Sequence, residues 1–312
     1  LWNKLFRMFS YMGSRGFTTS LTAGFDIALW DIKGKVSGLP VYDLLGGRYR
    51  DPVRLYCNAW FNGCYTPEEY ANAAKTNVLE NGHTACKLDP FLEMTQYHTM
   101  YQDGFISEDG EQLGYDIVAA VRDTVGPEIE ILIDAHGHYN VPNAVRISNN
   151  LYERFNIAWF EEPVPPEGIN ALKQVKQNTN APICVGERLY TRADFIPILE
   201  NNLADFIMPD TIWTGGISEI KKIATMAEAY YIPVSHKETT ELKKDLVLKK
   251  LKPILEDPSI KKVGQNIKYD FIIFKNHGIE LSPVEDTMLL SYTLDAGNNR
   301  HNMDTLSELH LG

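Results

Sequence analysis

This sequence lacks long apolar runs and paired cysteines. No apolar stretch approaches the roughly 18 residues that a membrane span needs. The four cysteines form no CxxC pair and show no spacing typical of a disulfide framework. Three of them, Cys57, Cys86 and Cys184, fall in predicted strands, where a free cysteine behaves as a small apolar residue. We therefore expect a cytoplasmic protein that does not cross a membrane.

Positive charge is also scarce. The chain has 30 Lys and Arg against 41 Asp and Glu, for a net charge of −11. This balance disfavours a broad nucleic-acid surface and suits a carboxylate metal site. A length of 312 residues allows one large barrel or two ordinary domains. An initiator methionine and a signal-peptide cleavage pattern are missing, so we interpret the N-terminus as a truncation within an amphipathic helix.

A near-regular series of acidic and imidazole residues recurs at intervals of 23 to 27 residues. Its members are Asp134, Glu161, Glu187, Asp210 and His236. Each follows a short apolar run, and a strand plus a helix takes about that length, so each is predicted to end a strand of successive βα units. Strands are predicted at 53–57, 84–89, 130–134, 157–161, 182–187, 204–210 and 232–236. In a (β/α)₈ barrel such ends meet at one mouth, where these barrels place their chemistry.

Three carboxylates of this series end consecutive predicted strands: Asp134, Glu161 and Glu187. Mg²⁺ prefers oxygen ligands and keeps positions open for water or substrate. A single strand-end carboxylate could instead cap the next helix or pair with a loop arginine. Three in register favour a metal site, and the sequence therefore predicts Mg²⁺ at the mouth.

Basic residues accompany this trio. His136 lies two residues past Asp134 and is expected on the same side of the strand. A carboxylate beside an imidazole orients it and raises its basicity, so Asp210 and His236 form a candidate general base. Lys87 ends the second predicted strand and could neutralise a substrate carboxylate. His138 is close enough to contact substrate.

Several runs of the sequence together resemble one family. They are FDIALWDIKGKVSGLPVYDLLGG, ILIDAHG, WFEEPVPPE and VGERLYTRADF, followed by MPD, GGISE and AEAYYIPVSH. Residues 1–236 look like the mandelate racemase subgroup of the enolase superfamily, and most like its acid-sugar dehydratases of the galactonate dehydratase kind. A small sugar acid is then the expected partner, and a homo-oligomer is compatible because relatives are commonly multimers.

The resemblance also implies a role for each site residue. Asp134, Glu161 and Glu187 would bind Mg²⁺, which holds the substrate carboxylate and stabilises an enediolate. His236, paired with Asp210, would remove the α-proton. His136 would then expel the β-hydroxyl as water, leaving a 2-keto-3-deoxy sugar acid.

The sequence departs from the family pattern in two respects. Mandelate racemase carries Lys-x-Lys on the second strand, whereas this chain has Lys87-Leu88-Asp89. One-base epimerisation is therefore disfavoured and His136 favours dehydration. Residues 1–48 are expected to represent only the last helices of the capping domain, and 49–236 an incomplete (β/α)₇β TIM-type barrel without its eighth strand. We expect little or no turnover from such an open barrel.

The remaining part, 237–312, resembles a different family. Its KVGQNIKYD and HNMDTLSE runs look like the ribonuclease H-like 3′→5′ exonuclease domain of bacterial family-A DNA polymerases. By resemblance, Asp270 would be one of several carboxylates holding two metal ions. The Asp-x-Glu motif that should precede it is replaced by barrel sequence, so nuclease activity and a nucleic-acid partner are disfavoured. Two origins stay open: a natural extension of a barrel enzyme, or an artificial joining of two gene fragments near 237–243.

Overall fold

The chain forms two compact units, Leu1–Glu238 and Thr239–Gly312. The computed structural model describes residues 2–9, 11, 13–48, 53–95, 103–235, 252–253, 255–264, 271, 274–276 and 278–286. Within these ranges no helix is long and apolar enough to cross a bilayer. The first unit is α/β with a parallel sheet, and the described strands of the second form a separate small sheet.

The sheet of the first unit follows chain order, with every neighbouring pair parallel. Its strands are β1 (Ala85–Leu88), β2 (Glu130–Asp134), β3 (Trp159–Glu161), β4 (Ile183–Val185) and β5 (Phe206–Ile207). Sequential parallel strands joined by helices are the βα arrangement of TIM-type barrels, as the sequence predicts.

Helices of the first unit precede the sheet and connect its strands. They are α1 (Trp2–Met8), α2 (Phe17–Ser37), α3 (Val41–Leu44), α4 (Pro67–Ala74), α5 (Leu92–Thr95), α6 (Glu108–Val125), α7 (Val141–Phe155), α8 (Ile169–Asn178), α9 (Thr191–Glu200), α10 (Thr211–Thr214) and α11 (Ile217–Ala229). A π-helical turn, Lys75–Leu79, extends α4. Local signals explain several ends: Thr66 and Glu69 form a capping box at α4, and Gly38 ends α2 in the left-handed conformation at φ 64°.

The first and last predicted strands are much shorter than expected. The stretch 53–57 contributes one parallel bridge, from Cys57 to Cys86, and 232–235 contributes one from Val234 to Ile207. Both stretches lie at the edges of the described sheet, so each has a partner on one side only. Their order in the sheet is nevertheless the predicted one.

Two buried apolar clusters lie on opposite faces of the sheet. The larger packs the strands against the helices and includes Ile131, Ile133, Phe160, Val118 and Ile147. The smaller consists of alternate strand residues, namely Ala85, Leu132, Trp159, Cys184 and Met208. Because side chains alternate along a strand, this smaller cluster is an inner layer of the barrel. All four cysteines are free, in agreement with the sequence analysis.

Helix α2 is tied to the start of α11. The Asp26 carboxylate accepts hydrogen bonds from the Ser218 backbone N–H (2.8 Å) and hydroxyl (2.6 Å), and Trp30 Nε1 donates to that hydroxyl at 2.8 Å. The N-cap residue of α11, Gly216, has no side chain that could cap the helix, and the Asp26 carboxylate takes that role. These contacts connect the N-terminal helices to the sheet-forming part of the first unit.

In the second unit, Lys262–Gly264 (β6) and Val284–Asp286 (β7) pair in parallel. Ile279 and Leu281 are buried beside them. Strand β6 falls at the start of the KVGQNIKYD run. Asp270 lies outside the described residues.

Candidate active site

The candidate site is the layer of side chains directly above the inner apolar layer. Two residues beyond Ala85, Leu132, Trp159 and Met208 come Lys87, Asp134, Glu161 and Asp210. On β4 the equivalent position is Gly186, at φ 135°, where a Cβ would lie 2.9 Å from the Met208 backbone nitrogen. Glycine is required by this close approach, and the β4 carboxylate comes one residue later, at Glu187.

Lys87 lies between two of the predicted ligands. Its Nζ donates to Asp134 Oδ2 at 2.7 Å and to Glu161 Oε2 at 2.9 Å. The side chains of Lys87, Asp134 and Glu161 are 1%, 5% and 0% exposed. Trp159 Nε1 also donates to Glu161, at 3.3 Å. The Lys87 ammonium therefore forms ion pairs with two buried carboxyls.

Burial and mutual charge shift the pKa values of these groups. Burial alone would lower the pKa of Lys87, but Asp134 and Glu161 outweigh it and raise that pKa well above its ordinary value. Burial opposes ionisation of Asp134, yet Lys87 lowers its pKa to about 2. Burial, reinforced by the neighbouring Asp134 charge, raises the pKa of Glu161 to about 8. One ammonium therefore faces two buried carboxyls, and burial opposes the ionisation of both.

Three side chains at the mouth could hold a metal ion. Ligand atoms of Asp134, His136 and Glu187 all lie within 4.8 Å of one another. Carboxylate and imidazole donors fit a divalent cation, and the Glu161 carboxyl offers a further oxygen donor beside them. Among the described residues, Glu161 is not in this group but adjoins it through Asp134. His136 was predicted as an acid, and its closeness to two predicted ligands is a finding of the structure.

His136 has a partner that the sequence analysis did not single out. Its Nδ1 lies 2.8 Å from Oδ2 of Asp89, which is 8% exposed. Burial opposes protonation of His136, but the bond to Asp89 and the Asp134 charge raise its pKa to about 9. Burial raises the pKa of Asp89 to about 6. The spacing Lys87-Leu88-Asp89 was the available signal, since it places both polar side chains on one face of β1.

The remaining predicted residues are placed as follows. Asp210 is the N-cap of α10, and its Oδ1 accepts from the backbone N–H groups of Ile212 (2.7 Å) and Trp213 (2.9 Å). His138 is buried, with its ring centroid 6.0 Å from that of His136. His236 lies outside the described residues, so its pairing with Asp210 stays a prediction.

A second buried ion pair adjoins the ligands. Arg188 Nε donates to Glu162 Oε2 at 2.5 Å, and the Arg188 backbone N–H donates to Glu162 Oε1 at 3.2 Å. The Gly137 N–H donates to the Glu162 carbonyl oxygen at 2.6 Å. Glu162 thereby contacts the loops that follow both β2 and β4. The run of two glutamates at 161–162 was visible in the sequence, but only its first member was assigned a role.

The chain matches models of two different protein families, as the two resemblances in its sequence predict. Residues 69–245 match the enolase C-terminal domain-like family, and residues 1–46 match the N-terminal domain of the mandelate racemase/muconate lactonizing enzyme family. Residues 216–312 match the 3′–5′ exonuclease family.

Curated relatives include sugar-acid enzymes. The chain is 38% identical over 227 residues to a D-gluconate dehydratase of Thermoproteus tenax, covering 72% of this chain and 43% of the relative. It is 36% identical over 220 residues to a D-gluconate/D-galactonate dehydratase of Picrophilus torridus, covering 70% and 54%. The chain thus spans about half the length of the curated relatives it matches.

Solved structures give the same assignment. An enolase superfamily member from Salmonella Typhimurium superposes with a TM-score of 0.69 at 36% identity, covering 76% of this chain and 64% of that one. The parallel sheet, the strand-end carboxylates and the family match over more than half of the sequence agree. The chain therefore belongs to the enolase superfamily, with domains of its mandelate racemase/muconate lactonizing enzyme branch.

Proposed function

We propose that the first unit carries the active-site chemistry of a Mg²⁺-dependent acid-sugar dehydratase. The observation that carries this proposal is the group Asp134, His136 and Glu187 at the carboxyl ends of parallel strands, beside Glu161. The two dehydratase relatives named above act on D-gluconate or D-galactonate, so the proposed substrate is an aldonate.

The proposed metal ligands are Asp134, Glu161 and Glu187, with His136 adjacent. When bound, Mg²⁺ would supply positive charge for the substrate carboxylate and for the enediolate. Lys87 neutralises the ligand carboxyls in the structure; its predicted contact with substrate would need its amine to turn away from one of them.

The proton transfers are assigned to histidines. His236, oriented by Asp210, would remove the proton α to the carboxylate. His136 would carry a proton on Nε2 while Nδ1 contacts Asp89, and would deliver it to the leaving β-hydroxyl. His138 would line the substrate position. The bond to Asp89 raises the pKa of His136 and so favours the protonated ring that the acid role needs.

We further propose that the barrel is incomplete and that this 312-residue chain shows little or no turnover. Among the described residues, no strand pairs with the outer side of Cys57 or of Val234. An uncovered mouth would admit water and weaken the electrostatic interactions at the reacting atoms.

The test is NMR of D-gluconate and D-galactonate with the purified chain, Mg²⁺ and D₂O. We expect slow α-proton exchange that His236→Asn removes, whereas His136→Asn should preserve exchange and stop water loss. Calorimetry with Mg²⁺ and Asp134→Asn as control measures the metal site separately. A chain that neither binds Mg²⁺ nor exchanges the α-proton would contradict the proposal. Fast dehydration would contradict the incomplete-barrel part alone.

A second candidate function is favoured by the 3′–5′ exonuclease match over 216–312. A two-metal nuclease site needs several carboxylates around both ions. Asp270 alone matches that requirement in the resembling segment, so we expect no shortening of labelled single-stranded DNA with Mg²⁺. Progressive shortening that Asp270→Asn abolishes would establish the exonuclease function instead.

A further inference from the structure

The Glu162–Arg188 ion pair is placed where it can control the geometry of the candidate site without entering it. Glu162 directly follows Glu161, and Arg188 directly follows Glu187. The Glu162 side chain is 4% exposed, and both of its carboxylate oxygens are used by Arg188. Two ligand-bearing loops are thereby joined one residue beyond their ligands.

The same pair reaches the third loop. The Gly137 N–H donates to the Glu162 carbonyl oxygen, and a Cβ at Gly137 would collide with the Arg188 guanidinium. His136, Gly137 and Glu162 have positive φ values of 46°, 66° and 41°. Left-handed backbone at non-glycine residues is costly and persists only where surrounding contacts impose it. Glu162 contacts both neighbouring loops, through its carboxylate to Arg188 and through its backbone carbonyl to Gly137.

We propose that Glu162 and Arg188 are positioning residues that hold the loops carrying Asp134, Glu161 and Glu187 at the spacing a divalent cation needs. This deepens the proposed function and rests on it for the identity of the ligands. This positioning role needs no contact between the ion pair and the substrate or the metal. The ion pair acts by fixing where the ligand-bearing loops lie.

A matched control exists in the same unit. Glu219 is fully buried and accepts from the Nε and backbone N–H of Arg192, both at 2.9 Å. The two pairs share residue types and a buried glutamate that accepts from the Nε and backbone N–H of its arginine. Glu219 also faces Lys222 at 3.4 Å, and its pair with Arg192 joins α9 to α11 and not the loops after β2 and β3. A general effect of losing a buried ion pair should therefore be equal in the two variants.

The experiment compares Glu162→Gln with Glu219→Gln in the full chain. Hydrogen exchange followed by mass spectrometry reports the order of peptides spanning 134–140 and 186–190 without any metal. We expect Glu162→Gln to accelerate exchange in both peptides at least tenfold and Glu219→Gln to leave them unchanged. Calorimetry with Mg²⁺ should show affinity about 10- to 100-fold weaker for Glu162→Gln alone, the range typical of groups that orient metal ligands.

Arg188→Lys retains the positive charge and should recover part of the lost protection and affinity relative to Arg188→Met. Equal exchange in Glu162→Gln and the wild type, or equal acceleration by the two glutamate variants, would overturn the positioning role. If the wild type failed to bind Mg²⁺, the proposed metal site would be wrong, while the exchange data would still decide whether the ion pair orders the loops.

Discussion

The candidate site has two halves that share Asp134 and differ in their access to water. The inner half consists of Lys87, Asp134 and Glu161, whose side chains are 0 to 5% exposed. The outer half consists of Asp134, His136 and Glu187, and the His136 side chain is 44% exposed. In the inner half, contacts among the three side chains set the protonation of the two carboxyls, whereas the outer half is open enough to accept a ligand. Asp134 belongs to both halves.

The largest expected effect comes from breaking the inner half with Lys87→Met. The substitution removes the ammonium from two buried carboxyls and leaves only His136, 3.5 Å from Asp134, as a cation beside them, so we expect a loss of about 3–5 kcal/mol in the free energy of unfolding. Urea unfolding without metal measures it. Lys176→Met, which removes a more exposed pair with Asp205, is the control and should cost about 1 kcal/mol or less. Equal losses would show that Lys87 is not central to the inner half.

Asp134→Asn should affect both halves at once. We expect Mg²⁺ affinity to fall about 100-fold or more, because a ligand charge is removed. Stability should fall less than in Lys87→Met, since Lys87 retains Glu161 as a partner. Glu130→Gln, at the other end of β2, is the control for calorimetry and should leave Mg²⁺ affinity unchanged. A similar affinity in Asp134→Asn and wild type would remove Asp134 from the metal site.

Gly137→Ala perturbs the outer half through its backbone. The added methyl would meet the Arg188 guanidinium and lie 3.1 Å from the Val164 carbonyl oxygen, and the residue has φ 66°. The control Gly38 is left-handed as well, with φ 64°, and has nothing within 4 Å of its Cβ position. Both alanine variants carry the left-handed strain of about 1–2 kcal/mol. We expect Gly137→Ala to cost a further 1–3 kcal/mol or so from overpacking, measured by urea unfolding. Equal costs would mean that the guanidinium moves aside freely.

The smallest effect concerns the pH dependence of the outer half. The pKa of His136 is raised to about 9, so its protonation stabilises the fold fully below pH 6.5 and the gain is lost as pH rises to about 9. The pKa of Glu161, raised to about 8, makes stability fall over pH 4.5 to 8 as well. His136→Gln should remove only the His136 contribution, about 1 kcal/mol after solvent screening. Unfolding in chelating buffer at pH 6 and 9 tests this, and an unaltered slope would contradict it.

The sequence predicts the parallel order of the strands because an apolar run ending in a polar residue recurs at the length of a βα unit. It also brings Asp134, Glu161 and Glu187 to one end of the sheet. Edge strands are harder to predict, since pairing at 53–57 and 232–235 depends on neighbours that local composition does not reveal.

The contacts of individual side chains were harder to predict from the sequence. Lys87 was expected to face substrate, but the β1–β2–β3 register places its amine between two carboxyls. His136, which contacts Asp89, has a positive φ of 46° and so lies outside regular strand geometry. Alternation along a regular strand cannot anticipate such a turn.

The link between Asp26 and Ser218 bears on how this protein can be shortened. A version beginning at residue 49 would appear to discard only peripheral helices, yet it would remove the carboxylate and the indole that hold the first turn of α11. That turn follows α10, whose N-cap is Asp210. Trimming at one end of the chain would therefore loosen a candidate catalytic position far along it.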